Sequence, residues 1–388
     1  MLLLSESRPL GLYVHWPFCL SKCPYCDFNS HAAAGIDQGH WRAALLRELD
    51  WYGERTAGRP LSSIFFGGGT PSLMEPDTVR ALIERAGQHW RLDDRAEITL
   101  EANPSTVEAA RFAAFRAAGI NRLSLGVQAL NDPDLHFLGR RHDAAEALAA
   151  LELAGRLFPR FSFDLIYARP GQSEAQWRAE LTRALGLAGD HLSVYQLTIE
   201  EGTAFFPRHR RGEFLLPDED SAAAMFALTR ELTAGAGLPA YEISNHARPG
   251  QESRHNLIYW RGDDYAGIGP GAHGRVDGRA TRQHRAPDVW LRRVESDGHA
   301  TQEDEFLAPL VRAEEMVMMG LRLEEGIDAA RFARLSGLDL WQVIDGQACA
   351  ALEAEGFVQR RPAGLRATEA GLLLLNAVTA RLLIPANL

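Results

Sequence analysis

Lysine is almost missing from this chain: Lys22 is the only one, and arginine carries the rest of the positive charge. Such a skew is read as a compositional bias of the source genome. Positive charge is also outnumbered, with 41 Lys and Arg against 51 Asp and Glu, a formal charge of −10. That balance argues against non-specific nucleic-acid binding, which needs a basic face. Cysteine is scarce too. There are four, and three of them fall within eight residues, which excludes a disulfide framework and points to a reducing compartment. Long apolar runs are missing. Met1-Leu2-Leu3-Leu4 is too short for a signal peptide and is followed by Glu6 and Pro9, and no stretch reaches membrane-span length. The expectation is a cytoplasmic protein, with a peripheral membrane contact left open. Its 46% apolar and 24% charged residues suit one large domain plus a smaller one.

What is present begins with Cys19-Leu20-Ser21-Lys22-Cys23-Pro24-Tyr25-Cys26. It follows an apolar run, Leu10 to Val14, that reads as a strand ended by Pro17, so the cysteines lie on a loop leaving a strand. Three thiolates spaced in this way can serve three irons of a four-iron cluster and leave the fourth open for chemistry. A structural zinc site with His15 or His31 as fourth ligand, and three unrelated buried thiols, are the competing readings. The Cys-x3-Cys-x2-Cys pattern resembles the cluster motif of the radical S-adenosylmethionine (SAM) enzymes. That resemblance implies an open iron chelated by the amino and carboxylate groups of SAM.

Strand and helix patterns then alternate six times. Strands are expected at Leu61 to Phe66, Glu97 to Glu101, Arg122 to Gln128, Phe161 to Tyr167 and His191 to Leu197, with helices between. Alternation of this kind implies parallel strands with right-handed crossovers. The fold class is α/β: a partial (β/α)6 barrel over 1–236, with a doubly wound sheet as the alternative. A connecting segment, 237–300, carries a further strand at Pro239 to Ser244 and then the run His255-Asn256-Leu257-Ile258-Tyr259-Trp260. Residues 301–388 read as a mainly helical, winged-helix-like domain: helices at Ala308 to Leu321, Ala329 to Ser336, Leu340 to Glu355 and Glu369 to Leu383, with a wing at Phe357 to Ala367. Its acidic character favours packing over DNA binding.

Ligands gather at the carboxyl ends of parallel strands, and the unusual residues fall there. Gly67-Gly68-Gly69-Thr70 lets backbone approach a ligand closely. Glu101 ends the third strand and offers acceptors for ribose hydroxyls. Gln128, Arg140 and Asp164 offer further polar contacts, Arg140 for a carboxylate. Tyr25, between two cysteines, can stack on adenine or shield a cluster. Cys349, in a C-terminal helix, reads as a buried thiol. His255, beside Tyr259 and Trp260, has the chemistry to ligate haem iron; a hydrogen-bonded loop histidine is the plainer alternative.

Tyr13 to Cys19, the cysteine triad, Gly67 to Pro71, Glu101-Ala102-Asn103-Pro104, Ser124 to Gln128 and Asp164 to Tyr167 occur together and in order. Combined, they resemble the oxygen-independent coproporphyrinogen III oxidase superfamily of radical SAM proteins. True dehydrogenases of that superfamily carry a further cysteine where this chain has Phe28, and a longer N-terminal segment. The chain more closely resembles the HemW-type haem chaperones, which share the His-Asn-x-x-Tyr-Trp run. The resemblance implies a 4Fe-4S cluster on Cys19, Cys23 and Cys26. It implies SAM contacts from Tyr13, Tyr25, Gly68, Gly69, Thr70, Glu101, Gln128, Arg140 and Asp164, a haem contact from His255, and delivery of haem to acceptor proteins. Coproporphyrinogen III dehydrogenation is the runner-up. A zinc-stabilised interaction module stands as a third, unrelated expectation.

Overall fold

The computed structural model describes residues 8–33 and 35–383; the Met1-to-Leu4 run lies outside them. Six parallel strands form as the alternation predicts: β1 (Leu10–Trp16), β2 (Pro60–Gly68), β3 (Arg91–Ala102), β4 (Arg122–Gln128), β5 (Arg160–Tyr167) and β6 (His191–Gln196). Helices cross over between them, among them α1 (Gln38–Arg55), α2 (Pro76–His89), α3 (Ala144–Leu157) and α4 (Glu174–Leu185). Helix α3 starts at a capping box in which Asp143 accepts from the Glu146 N–H.

Alternation along each strand explains the barrel. Leu10, Leu12, Val14 and Trp16 of β1, Ile98 and Leu100 of β3, and Leu123 and Leu125 of β4 all join one buried core beneath the helices. Successive side chains of a strand point to opposite faces. Tyr13, Ser63, Glu97, Glu101, Arg122, Gln128, Asp164 and Ser193 therefore share the other face, and the lumen is polar. Of the strand-borne site residues, Tyr13, Glu101, Gln128 and Asp164 fall on that lumen face by register alone.

The segment expected to be a connector is instead part of the sheet. Strand β7 (Asn245–Ala247) pairs antiparallel with β6. Pro239 to Ser244 is not a strand; Ala240 only bridges to His246. On the opposite edge β8 (Asp264–Ile268) pairs parallel with β1, Leu10 against Asp264 and Val14 against Ile268. Strands β9 (His273–Val276), β10 (Arg279–Gln283) and β11 (Thr301–Phe306) extend that edge antiparallel. The sheet runs β11-β10-β9-β8-β1-β2-β3-β4-β5-β6-β7, a barrel open between β7 and β11. Close backbone approach makes this possible: a Cβ on Gly267 would lie 1.9 Å from the His273 carbonyl oxygen, and one on Gly269 2.2 Å from that of His15.

His255 is helical, where the plainer alternative had a loop histidine. Ser253 caps α5 (Arg254–Trp260) by accepting from the Asn256 N–H. Beyond the sheet, α6 (Pro309–Gly320) leads into a second core holding Phe332, Cys349, Leu352 and Val378. Strands β12 (Ile327–Asp328), β13 (Val358–Arg361) and β14 (Gly364–Ala367) form a small sheet there, β13 and β14 making the wing. The helix expected from Leu340 to Glu355 is two, Leu340–Val343 and Gly346–Ala354. Asp345 interrupts it by capping the second, accepting from the Gln347 and Ala348 N–H groups.

Candidate cluster and SAM site

Immediately after β1 the chain turns through Phe18-Cys19, which pairs with His31-Ala32. Within this loop the Cys26 N–H donates to the Cys23 carbonyl at 3.1 Å, and the Lys22 ammonium donates to the Phe28 carbonyl at 3.3 Å. The three thiols line one cavity of about 360 Å³ at the carboxyl ends of β1 to β5. Thr70 donates its N–H to the Phe18 carbonyl at 2.8 Å, so the glycine run lies against the cysteine loop. A Cβ on Gly69 would sit 2.7 Å from the Phe18 carbonyl oxygen and 3.0 Å from the Cys19 sulfur. The glycine thus keeps open a cradle that any side chain would fill. Burial pushes the Cys19 and Cys26 thiols up, a penalty that binding to iron reverses by holding thiolate charge.

Arg140 faces Cys23 from the far wall. Its guanidinium donates to the Asn103 side-chain oxygen and the Gly126 carbonyl at 2.6 Å each, and reaches the Cys23 sulfur and the Tyr25 hydroxyl at 3.4 Å. Burial disfavours its charge, but Tyr25 and Cys23 outweigh that and hold its pKa up. A fixed cation beside a cluster thiolate favours the negative charge that a cluster carries. Glu101 accepts from the Gly68 N–H at 3.3 Å, and burial followed by Asp164 lifts its carboxyl to about 8. Burial lifts Asp164 to about 6. Two carboxyls share this polar wall without both being fully charged near pH 7. Gln128 has φ 74°. A non-glycine residue held in the left-handed region is strained, and such strain collects at ligand sites.

The cavity collects Cys19, Cys23, Cys26, Tyr25, Gly68, Gly69, Thr70, Glu101, Gln128, Arg140 and Asp164. Tyr13 does not line it. Tyr13 instead lines a second cavity of about 530 Å³, between the barrel mouth and α6, which meets the first at Phe28, Gly68 and Glu101. Its hydroxyl lies 2.9 Å from His15 Nδ1, while His15 Nε2 donates to the Asn29 carbonyl at 2.9 Å. A carbonyl only accepts, so Nδ1 must accept from Tyr13; burial lowers the His15 pKa to about 4. His255 lines neither cavity. Its ring is 1% exposed, with Nδ1 2.8 Å from the Ser63 hydroxyl and Nε2 2.6 Å from the Tyr259 hydroxyl. Burial lowers its pKa to about 3. Both nitrogens are engaged, so direct ligation would require the hydrogen bond at the ligating nitrogen to break.

Two wall residues escaped the sequence reading. Asn103 orients Arg140 and is itself held by Glu108, which accepts from the Asn103 N–H at 2.8 Å and its side-chain amide at 3.1 Å. The only signal was the Glu-Ala-Asn-Pro run, in which Asn103 reads as a strand stop.

The Radical SAM superfamily matches residues 13–184, and the HemN C-terminal domain matches residues 307–374. The mouse protein "Radical S-adenosyl methionine domain-containing protein 1, mitochondrial" is 41% identical over 98% of this chain and 88% of its own. "Heme chaperone HemW" of Escherichia coli K12 is 40% identical over 95% of this chain and 97% of its own. The solved E. coli coproporphyrinogen III oxidase (HemN) superposes with a TM-score of 0.82 over 98% of this chain and 92% of that one, at 23% identity, which shows a shared fold. The chain belongs to the radical SAM superfamily, in the family of these HemW and mitochondrial relatives.

Membership implies a 4Fe-4S cluster and SAM, and the residues fit both. Cys19, Cys23 and Cys26 would hold the cluster; Glu101, Gln128, Arg140, Asp164 and the glycine run would hold SAM. When bound, the pair supplies reductive cleavage of a sulfonium. The chain itself supplies a thiolate cradle, a fixed guanidinium and a polar wall.

Proposed function

We propose that this protein is a haem chaperone that carries a 4Fe-4S cluster with SAM and delivers haem to acceptor proteins. The observation that carries this reading is the near-full-length identity of about 40% to proteins named Heme chaperone HemW. The His-Asn-x-x-Tyr-Trp helix and Phe28 in place of a fourth loop cysteine agree with it. A second cavity beside the cluster site, walled by aromatics, offers room for a planar apolar cargo. A cytoplasmic location and a peripheral membrane contact belong to the same proposal. Four free thiols suit a reducing compartment, and no described helix is long and apolar enough to cross a membrane.

Anaerobic reconstitution followed by parallel assays tests it. Haem should bind, and coproporphyrinogen III with SAM and reductant should yield no protoporphyrinogen IX. Clear porphyrinogen turnover without haem binding would replace this reading with the dehydrogenase.

A further inference from the structure

The second cavity carries chemistry that the cluster site does not use. His273, the first residue of β9, is exposed, lines it, and has no hydrogen-bond partner on its ring among the described residues. Its backbone is fixed by the close passage of Gly267. Partial burial, Arg275 and Arg282 lower its pKa, which favours the neutral imidazole with a free nitrogen lone pair.

The wall is also cationic. Arg275 forks onto Glu315 at 2.7 and 3.1 Å, and Arg312 reaches the same carboxylate at 3.5 Å. Arg285 lines the cavity with no acidic partner among the described residues, while its backbone carbonyl accepts from Asn29 at 2.9 Å. Asp263, also in the wall, is paired with Arg331 at 2.8 Å. Three guanidiniums thus face Glu315, which Arg275 and Arg312 share, while burial and Asp164 raise the carboxyl of Glu101, also in the wall, to about 8 and keep it largely neutral, a surplus of two positive charges. Flat apolar faces complete the site: Tyr259 and Trp260 from α5, Tyr265 from β8 and Met316 from α6.

An unpartnered imidazole, aromatic walls and two surplus cations describe a receptor for a planar metalloporphyrin with two carboxylates. We propose that haem occupies this second cavity, with His273 as axial ligand and Arg285 and the Arg275–Arg312 pair receiving the propionates. The inference rests on the haem reading above and assigns its site. His255 then acts as a positioning residue. Through the Ser63–His255–Tyr259 chain of hydrogen bonds it fixes the Tyr259 ring in the cavity wall.

The test is a haem titration into the anaerobically reconstituted full chain, followed in the Soret region, with iron content and thermal midpoint measured for each variant. His273→Ala should change the Soret maximum and weaken binding by about tenfold or more, the loss of one strong contact. Wild type should prefer haem over its dimethyl ester, and Arg285→Glu should lose that preference by weakening haem binding about tenfold while leaving ester binding unchanged. If His273→Ala keeps the wild-type spectrum and affinity, the site is wrong and the haem reading stands. If wild type binds no haem, both fall. Should His273→Ala lose its cluster, the ester comparison in Arg285→Glu decides; equal ester and haem affinities in wild type overturn the proposal.

Discussion

Glu97→Gln is the substitution that most directly tests how this barrel holds its second half. Glu97 lies on β3 facing the lumen and is 2% exposed. One carboxylate oxygen accepts from Arg160 at 2.7 Å and from the Arg254 N–H at 3.2 Å. The other accepts from the Ser253 hydroxyl at 3.3 Å and the His255 N–H at 3.2 Å, and Arg122 stands 4.0 Å away. Four donors, one of them the Arg160 guanidinium, converge on one carboxylate at the N-terminus of α5, with the Arg122 guanidinium beside them. Glutamine keeps one acceptor oxygen and turns the other into an amide facing donors. Removing one partner of a buried pair costs about 3–5 kcal/mol. Arg122 is 3% exposed and has no route to water, whereas Arg160, 20% exposed, can turn outward. The lower end, about 3 kcal/mol, is therefore expected. Urea unfolding followed by tryptophan fluorescence should show that loss, and hydrogen exchange should rise over 254–260. The pH dependence has a definite sign. Burial raises the Glu97 pKa, but Arg122 and Arg160 outweigh it and hold the carboxyl below the usual range. A depressed carboxyl contributes stability that is full above the unfolded value of 4.5 and disappears as pH falls through the folded one. The gap between wild type and variant should accordingly close in acid. A loss below about 0.5 kcal/mol at pH 7, the range of an ordinary surface change, would refute the account.

Cys23→Ala should abolish cluster iron after reconstitution, whereas Cys349→Ala should leave it intact; Cys349 sits in the C-terminal core at 1% exposure, far in the fold from the loop. Gly69→Ala should assemble little cluster while keeping its secondary structure, because the new methyl crowds the Phe18 carbonyl and the Cys19 sulfur; iron analysis with circular dichroism checks both. Gln128→Gly should raise stability by up to about 1 kcal/mol, since it relieves a left-handed φ at some entropic cost, and should weaken SAM binding measured by calorimetry.

The first half of the fold was legible because each unit repeats one local signal. A short apolar run, a polar strand end and a helical period recur, and period-two alternation then puts Glu101, Gln128 and Asp164 on one lumen face without any tertiary information. The cluster loop was legible because metal chemistry ties three cysteines to short spacing. Residues 237–300 gave no such repeat. Strand β8 is five residues long, and its partner β1 lies some 250 positions earlier in the chain. No local pattern encodes a pairing of that sequence separation. That Tyr13 lines the adjoining cavity was not legible for a related reason. Register places it on the lumen face, but which of two adjoining cavities it borders depends on where the cysteine loop and α6 come to rest.

His255 shows the limit most sharply. Its residue type names a chemistry, and the neighbouring Tyr259 and Trp260 name an apolar flat ligand, yet neither says which way the imidazole points. Helix α5 is only seven residues long, too short for a periodic signal, and its one clear mark was Ser253 three residues ahead of Asn256. Once that cap is accepted, His255 and Tyr259 stand at i and i+4 on one helix face, and their hydrogen bond follows at once. The imidazole turns inward to Ser63, Tyr259 bridges it to the cavity wall, and Trp260, one position on, also lines the wall. A motif that names a histidine chemistry in one dimension thus folds so that the imidazole is hydrogen-bonded between Ser63 and Tyr259, and the imidazole that lines the cavity beside Tyr259 and Trp260 is that of His273, a residue outside the motif.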